Sequence, residues 1–234
     1  MKKVYLVTGA SRGIGKECAI KVASPNSIMI LLASKKENCV ETEVACMEKG
    51  ASVFSYGIDL ADTRAIKTLI SQIKEEHGSI DVLVNNAGLW DERPFLDGDM
   101  DEWDRILDVN LKSCIHMTRY CVEGMKEGGA VVFIASMASK KVYANGTNYC
   151  ATKWGLLGFA GALFEDVRER GIKVSSILPG VVNTDMHKGD PKLDEDKMIQ
   201  PEDVAHTLSF ILSMPPTSCT TEITILPQRN PKRG

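Results

Sequence analysis

The sequence predicts an α/β domain built on a doubly wound, mainly parallel sheet, and three observations predict it. Short, nearly continuous apolar runs of strand length alternate with segments of helical periodicity, the order that puts crossover helices on both faces of a parallel sheet. The first run enters a glycine-rich turn, Gly9 to Gly15, that leads directly into a helix-compatible stretch. The 234 residues suit one such domain, 1–234, with a full core and no second unit.

Val4 to Val7 reads as the first strand, and Lys16 to Ile20 continues the helix that the glycine turn opens. Strand, glycine turn and helix together make a dinucleotide-binding context, because backbone amides at the helix start face a pyrophosphate. Ile28 to Ala33 is a fully buried second strand. At its end, where an NAD-selective enzyme places a carboxylate for the ribose 2′-hydroxyl, stand Ala33-Ser34-Lys35-Lys36. Positive charge in that place favours the 2′-phosphate, so NADP(H) is expected in preference to NAD(H). Val40, Val44 and Met47 fall on one helical face, and Ala51 to Ile58 reads as a third strand.

The next helix carries Ile66, Leu69, Ile70 and Ile73, with Asp62 as its better cap. Ile80 to Val84 is the fourth strand and runs straight into Asn85-Asn86-Ala87-Gly88. A long helix is expected from about Met100 to Met125; Asn110 interrupts its apolar series Ile106, Leu107, Val109, Leu111, and a buried amide there needs partners. Ala130 to Ala135 is a fifth, buried strand ending at Ser136. The helix bearing Tyr149 continues through Val167 and is apolar nearly all round, so a second face should meet something other than the sheet. Lys173 to Leu178 is the sixth strand. The segment 180–200, polar and charged from Met186 onwards, reads as a lid over a substrate. Pro201 opens a last helix, with Val204, Leu208, Ile211 and Leu212 on one face, and Glu222 to Leu226 is the seventh strand.

Composition narrows the function. The net charge of -3 argues against a nucleic-acid or acidic-membrane surface. No run approaches the ~20 apolar residues of a membrane span, so a cytoplasmic protein is expected. The seven cysteines are odd in number and contain no Cys-x-x-Cys, which indicates neither a disulfide framework nor a metal site.

The chemistry points to the stretch from Ser136 to Lys153. Tyr149 and Lys153 lie four residues apart, which on a helix sets the ammonium beside the phenol. A phenol normally titrates near 10, and a neighbouring cation favours phenolate. Reaching about 7 takes roughly 4 kcal/mol of differential stabilisation. Such a tyrosine serves as a general acid/base near neutral pH. With five tyrosines, about 0.4 such pairs arise by chance, so the pair alone is weak. Ser136, at a strand end where its hydroxyl can enter a cleft, strengthens it.

Thr8-Gly9-x-x-x-Gly13-Ile14-Gly15, Asn85-Asn86-Ala87-Gly88, Asn110 in a helix, Ser136 thirteen residues before Tyr149, Lys153, and Pro179-Gly180 occur in this order. With that set the chain resembles the short-chain dehydrogenase/reductase family. The resemblance implies a single Rossmann-type domain with a seven-stranded sheet flanked by helices. It implies a catalytic tetrad of Asn110, Ser136, Tyr149 and Lys153, with Asn110 holding a proton-relay water. It assigns cofactor contacts to Gly9, Ser11, Arg12, Gly13, Ile14, Gly15, Ser34, Lys35, Asp59, Leu60, Asn85, Ala87, Gly88, Tyr149, Lys153, Pro179, Gly180, Val182 and Thr184. Arg12 would meet the 2′-phosphate, Asp59-Leu60 the adenine, and Val182 and Thr184 the nicotinamide amide.

A small-molecule carbonyl or alcohol is the expected substrate, and a homodimer or homotetramer the expected assembly, although the ending Leu226-Pro227-Gln228 departs from the glycine-rich tail of many tetrameric relatives. The alternatives are a 3-oxoacyl thioester reductase of fatty-acid synthesis and a non-catalytic NADPH-sensing protein.

Overall fold

The computed structural model describes residues 2–232. Seven strands form one sheet in the order β3-β2-β1-β4-β5-β6-β7. They are β1 (Lys3–Thr8), β2 (Ser27–Ala33), β3 (Ser52–Gly57), β4 (Val82–Asn85), β5 (Ala130–Ile134), β6 (Lys173–Pro179) and β7 (Glu222–Ile225). All six neighbouring pairs are parallel, so the sheet is wholly rather than mainly parallel.

Seven α-helices connect the strands: α1 (Gly13–Val22), α2 (Val40–Glu48), α3 (Thr63–His77), α4 (Met100–Leu107), α5 (Ser113–Gly124), α6 (Thr147–Val167) and α7 (Pro201–Ser213). Strand side chains alternate between two cores. Leu6, Ile30 and Val131 pack on one face with Ile66, Ile70 and Ile73 of α3, Met117 of α5 and Leu156 of α6. Val7, Leu31 and Val132 pack on the other with Cys18 of α1, Cys46 of α2 and Leu208 of α7. Strands buried on both faces explain why their sequences read as unbroken apolar runs.

Local signals hold where expected. Asp62 caps α3 by accepting the amides of Arg64 and Ala65, and α7 starts with Pro201 inside a capping box of Gln200 and Asp203. Two expectations need correction. The apolar face of α2 does not pack: Val40, Val44 and Met47 are about half exposed, while Thr42 and Cys46 are buried. The Thr42 hydroxyl donates to the Ala10 carbonyl at 2.8 Å, so this hydrogen bond and Cys46, rather than the Val40, Val44 and Met47 stripe, face the helix inward. The helix expected from 100 to 125 is broken into α4 and α5 by a π-helical turn at Asp108–Lys112, with Asn110 inside it.

Because β1 is flanked by β2 and β4, the direction in which successive strands are added reverses there, with β2 and β3 on one side and β4 to β7 on the other. Crevices at the carboxyl ends of strands on either side of such a point are where open α/β sheets hold ligands.

Candidate active site

Each segment leaving the carboxyl end of β1 to β6 carries residues of the expected site. After β1, the backbone turns through Gly9 at φ +64° and Gly13 at φ +53°. A Cβ on Gly15 would lie 2.2 Å from the Gly9 carbonyl oxygen, and one on Gly9 would lie 2.9 Å from the Ala87 Cα. Only glycine lets these segments approach so closely. α1 then begins with no side chain capping it and no acidic residue in its first turn. Its free amides face a cleft of about 320 Å³ bordered by Ser11, Arg12, Gly13, Thr184 and Lys188. A tight glycine turn and an uncapped helix start fit a dinucleotide phosphate, although the cleft's cations Arg12, Lys16 and Lys188 share it with Glu17, Glu41, Asp185, Glu195 and Glu202.

The strands are laced by Asn85, an expected site residue, and by Thr8 and Asn86, which the sequence reading left out of the site. Thr8 Oγ1 accepts the Asn86 amide at 2.9 Å and the Ala87 amide at 3.0 Å. The Asn86 side chain donates back to the carbonyls of Thr8 and Gly9 at 2.9 and 3.1 Å. Asn85 is buried and donates to Thr118 Oγ1 at 3.1 Å. Polar side chains inside otherwise apolar strand ends were the signal that marked them. Gly88 sits opposite Asn110, whose Oδ1 would be 3.4 Å from an added Cβ.

Several expected cofactor residues are already engaged. Arg12 is ion-paired with Asp185 at 3.3 Å, both largely exposed, so its guanidinium bridges the glycine turn to segment 180–200. Ser34 and Lys35 are exposed at the end of β2. Asp59 accepts the Ala61 amide and pairs with Arg105 at 3.1 Å, which holds its carboxyl below the usual range. Leu60 and Ile14 are half-buried and lean on the two cores. Pro179 ends β6, and the Gly180 amide bonds the Ile225 carbonyl at 2.8 Å. Val182 is buried and forms an isolated parallel bridge with Ile199, which with the Asn183–Gln200 bond anchors both ends of segment 180–200.

On the other side of the cleft, Ser136 leaves β5 and its hydroxyl accepts the Ala138 amide at 3.1 Å. It also lies close enough to the Tyr149 phenol to act on it, and that interaction favours the phenolate. Lys153, 5 % exposed, lies with its Nζ 5.6 Å from the Tyr149 ring centre and donates to the Ile134 carbonyl at 3.0 Å. The structure thus brings Ser136, Tyr149 and Lys153 together.

The depressed tyrosine pKa does not follow in the unliganded protein. Burial pushes Tyr149 up to about 12, against the Ser136 interaction. Burial also brings Lys153 down to about 8, so both groups are biased to their neutral forms. A four-residue spacing places an ammonium beside the phenol but carries no sign of the loss of solvent around it.

Asn110, 1 % exposed, accepts the Leu89 amide at 2.7 Å and donates to the Leu89 carbonyl at 2.8 Å and to Thr152 Oγ1 at 3.2 Å. Its amide is spent tying the segment after β4 to α6, beside Lys153. Among the described residues no cluster of His, Cys, Asp or Glu could hold a metal, and no helix is long and apolar enough to cross a membrane.

Fold and site define a doubly wound α/β protein whose glycine cradle and polar cluster share the carboxyl edge of one parallel sheet. The short chain dehydrogenase family model matches residues 3–194, and the chain belongs to that family. It is 34% identical over 186 residues, 79% of this chain and 76% of the relative, to the 3-oxoacyl-[acyl-carrier-protein] reductase FabG of Haemophilus influenzae. Two solved structures, each 29% identical, are complexes with NADP. A metagenomic short-chain oxidoreductase matches with a TM-score of 0.83 over 97% of this chain and 98% of its own. A short chain dehydrogenase from Burkholderia cenocepacia matches with a TM-score of 0.88 over 95% and 96%.

Proposed function

We propose that this short-chain dehydrogenase is an NADP(H)-dependent oxidoreductase that interconverts a carbonyl and a secondary alcohol. The observation that carries the reading is the Ser136–Tyr149–Lys153 cluster set across one crevice from an uncapped helix start in a glycine cradle. The glycine turn, Arg12, Ser34 and Lys35 would hold the cofactor, and the NADP complexes of the two structural relatives support NADP(H) binding. Bound cofactor would supply or accept the hydride.

The chain's own residues handle the proton and the oxygen. Ser136 donates a hydrogen bond to the carbonyl oxygen, and Tyr149 delivers the proton to it in reduction or removes it in oxidation. Lys153 adds positive charge beside the phenol whenever it is protonated, which favours phenolate. Asn110 fixes the π-helical turn next to Thr152 and so positions Lys153. Segment 180–200 covers the substrate, and the half-exposed Trp154 on the outer face of α6 supports association of two or more copies.

A 3-oxoacyl thioester is the second substrate reading, favoured by the FabG relative. The test is NADPH and NADH oxidation over ketones, α-diketones and 3-oxoacyl pantetheine thioesters, with Tyr149→Phe alongside. Turnover with NADPH should fall ~10²–10⁴-fold in the variant while NADPH binding stays within threefold. Tight NADPH binding with no turnover of any carbonyl would sink the enzyme reading and leave a cofactor sensor.

A further inference from the structure

We propose that residues 226–232, which leave β7, form a strap that holds residues 193–200 in place, so that only residues 185–192 move over the substrate; the inference rests on the reading of segment 180–200 as a substrate cover. From β7 the chain first crosses the start of that segment. The Ile225 carbonyl accepts the Gly180 amide at 2.8 Å, and a Cβ on Gly180 would lie 3.0 Å from Cδ of Pro227. Gln228, Arg229 and Asn230 are exposed, and the chain then turns back inward at Pro231, which is buried. There the Pro231 carbonyl accepts the Asp194 amide at 2.8 Å, and Lys232 opposes Leu193 in an isolated antiparallel bridge. Asn230 Oδ1 accepts the Lys232 amide at 3.0 Å, which fixes the turn. A segment beyond the last strand of a sheet stays solvated unless something ties it down. This one is tied to both limbs of the cover.

The two limbs differ in how they are held. In the return limb, Leu193, Met198 and Ile199 are buried. The Ile199 amide donates to the Val181 carbonyl at 3.1 Å, the Asn183 amide donates to the Ile199 carbonyl at 2.8 Å, and the Gln200 side chain donates to the carbonyls of Glu195 and Met198. In the outward limb every residue from Asp185 to Lys192 except His187 is exposed. Its bonds are local turns: the His187 amide to the Thr184 carbonyl, the Asp190 amide to the His187 carbonyl, and the Lys192 amide to Asp190 Oδ1. Gly189 sits at φ +80° with nothing within 4 Å of an added Cβ, so the bend has room to change. The limb is fastened outward by the Asp185–Arg12 pair and the His187–Trp90 ring contact, and an exposed ion pair holds weakly. Exposed backbone with local bonds opens before buried, cross-linked backbone does. The strap thus turns a twenty-residue flap into a fixed limb and a short moving one, and sets how far the cover reaches.

The test compares the full chain with one lacking residues 229–234 and with the double variant Leu193→Cys, Lys232→Cys. Facing Cα atoms of an antiparallel pair lie about 4.5–5.5 Å apart, inside the disulfide range of about 4.4–6.8 Å, so the double variant can be cross-linked by oxidation. Hydrogen exchange with NADPH present is read by mass spectrometry. Shortening should speed exchange of residues 193–199 about fivefold or more, leave β1 and β2 at the wild-type rate and keep NADPH affinity within about threefold, because Pro227 stays on Gly180. With any ketone that turns over, KM should rise about fivefold or more and kcat stay within about threefold. The oxidised double variant should keep residues 193–199 protected while residues 185–192 exchange within about twofold of the reduced form. Unchanged exchange of 193–199 on shortening, or slowed exchange of 185–192 on cross-linking, overturns the strap. If the shortened chain does not fold, the cross-link decides by the same measure. Exchange is read without turnover, so failure of every carbonyl to react removes the oxidoreductase reading and leaves the strap judged on exchange.

Discussion

Replacing Lys153 by methionine should stabilise the unliganded protein at neutral pH while removing turnover. Burial lowers the ammonium's pKa from 10.5 to about 8. Since the folded pKa is the lower one, the unfolded chain binds more protons between those values, and wild-type stability rises with pH from about 8 to about 10.5. Well below pH 8 the full penalty is present, about 3 kcal/mol. Opposing it is the bond to the Ile134 carbonyl at 3.0 Å, which methionine cannot make. A charged donor makes such a bond worth about 1.5–3 kcal/mol. The difference leaves Lys153→Met about 1 kcal/mol the more stable at pH 7.

Raising the pH to 9.5 removes about 2 kcal/mol of the penalty, and Lys153, by then neutral, keeps only an uncharged donor's bond of about 1 kcal/mol, so the two proteins come within about 0.5 kcal/mol of each other. Tyr149, pushed up to about 12, stays protonated throughout and does not interfere. Urea unfolding of both proteins without cofactor, followed by circular dichroism at pH 7, 8, 9 and 9.5, measures the difference directly. A stability gap that is flat across this range would refute the reasoning, because it would mean that Lys153 titrates alike in the folded and unfolded chains.

Arg12→Ala should raise the NADPH dissociation constant about tenfold and change that of NADH less than threefold, as read by cofactor fluorescence. The exposed Asp185 pair it gives up is worth under about 1 kcal/mol, whereas a phosphate contact is worth about 1.5–3 kcal/mol. Gly15→Ala should abolish cofactor binding and cost about 2 kcal/mol or more in denaturant unfolding, since its Cβ would sit 2.2 Å from the backbone oxygen of Gly9. Asp62→Ala should cost about 1 kcal/mol through loss of the α3 cap, with cofactor affinity unchanged.

The sheet was legible because β2, β4, β5 and β6 are buried on both faces and leave almost unbroken apolar runs. α3 was legible for a related reason: Ile66, Ile70 and Ile73 repeat at helical spacing above a charged outer face. α2 misled because residue type was taken for burial; Thr42 and Cys46 carry its inner face, and a threonine's hydrogen bond leaves no periodic mark. The π-helical turn was hidden because Ile106, Val109 and Leu111 read smoothly through it. Its cause is the three hydrogen bonds of Asn110, two of them to a loop twenty-one residues earlier in the chain. Burial at Tyr149 was likewise out of reach, because spacing names a neighbour but not the absence of water.

That burial bears on how the site would work. With Tyr149 near 12 and Lys153 near 8, the unliganded cluster favours a neutral phenol and a half-neutral amine around pH 8. A neutral phenol is the form needed to protonate a carbonyl oxygen, so reduction needs little rearrangement of protons. Oxidation needs phenolate, and from about 12 to about 7 that is roughly 7 kcal/mol, more than a partly deprotonated Lys153 supplies. Positive charge arriving with an oxidised cofactor acts in the right direction, on the phenol directly. The loops meanwhile are held by struts independent of either group: Thr8 to Asn86 and Ala87, Asn85 to Thr118, Asn110 to Leu89 and Thr152. The scaffold is therefore satisfied before any ligand binds, while the proton-transfer pair is not.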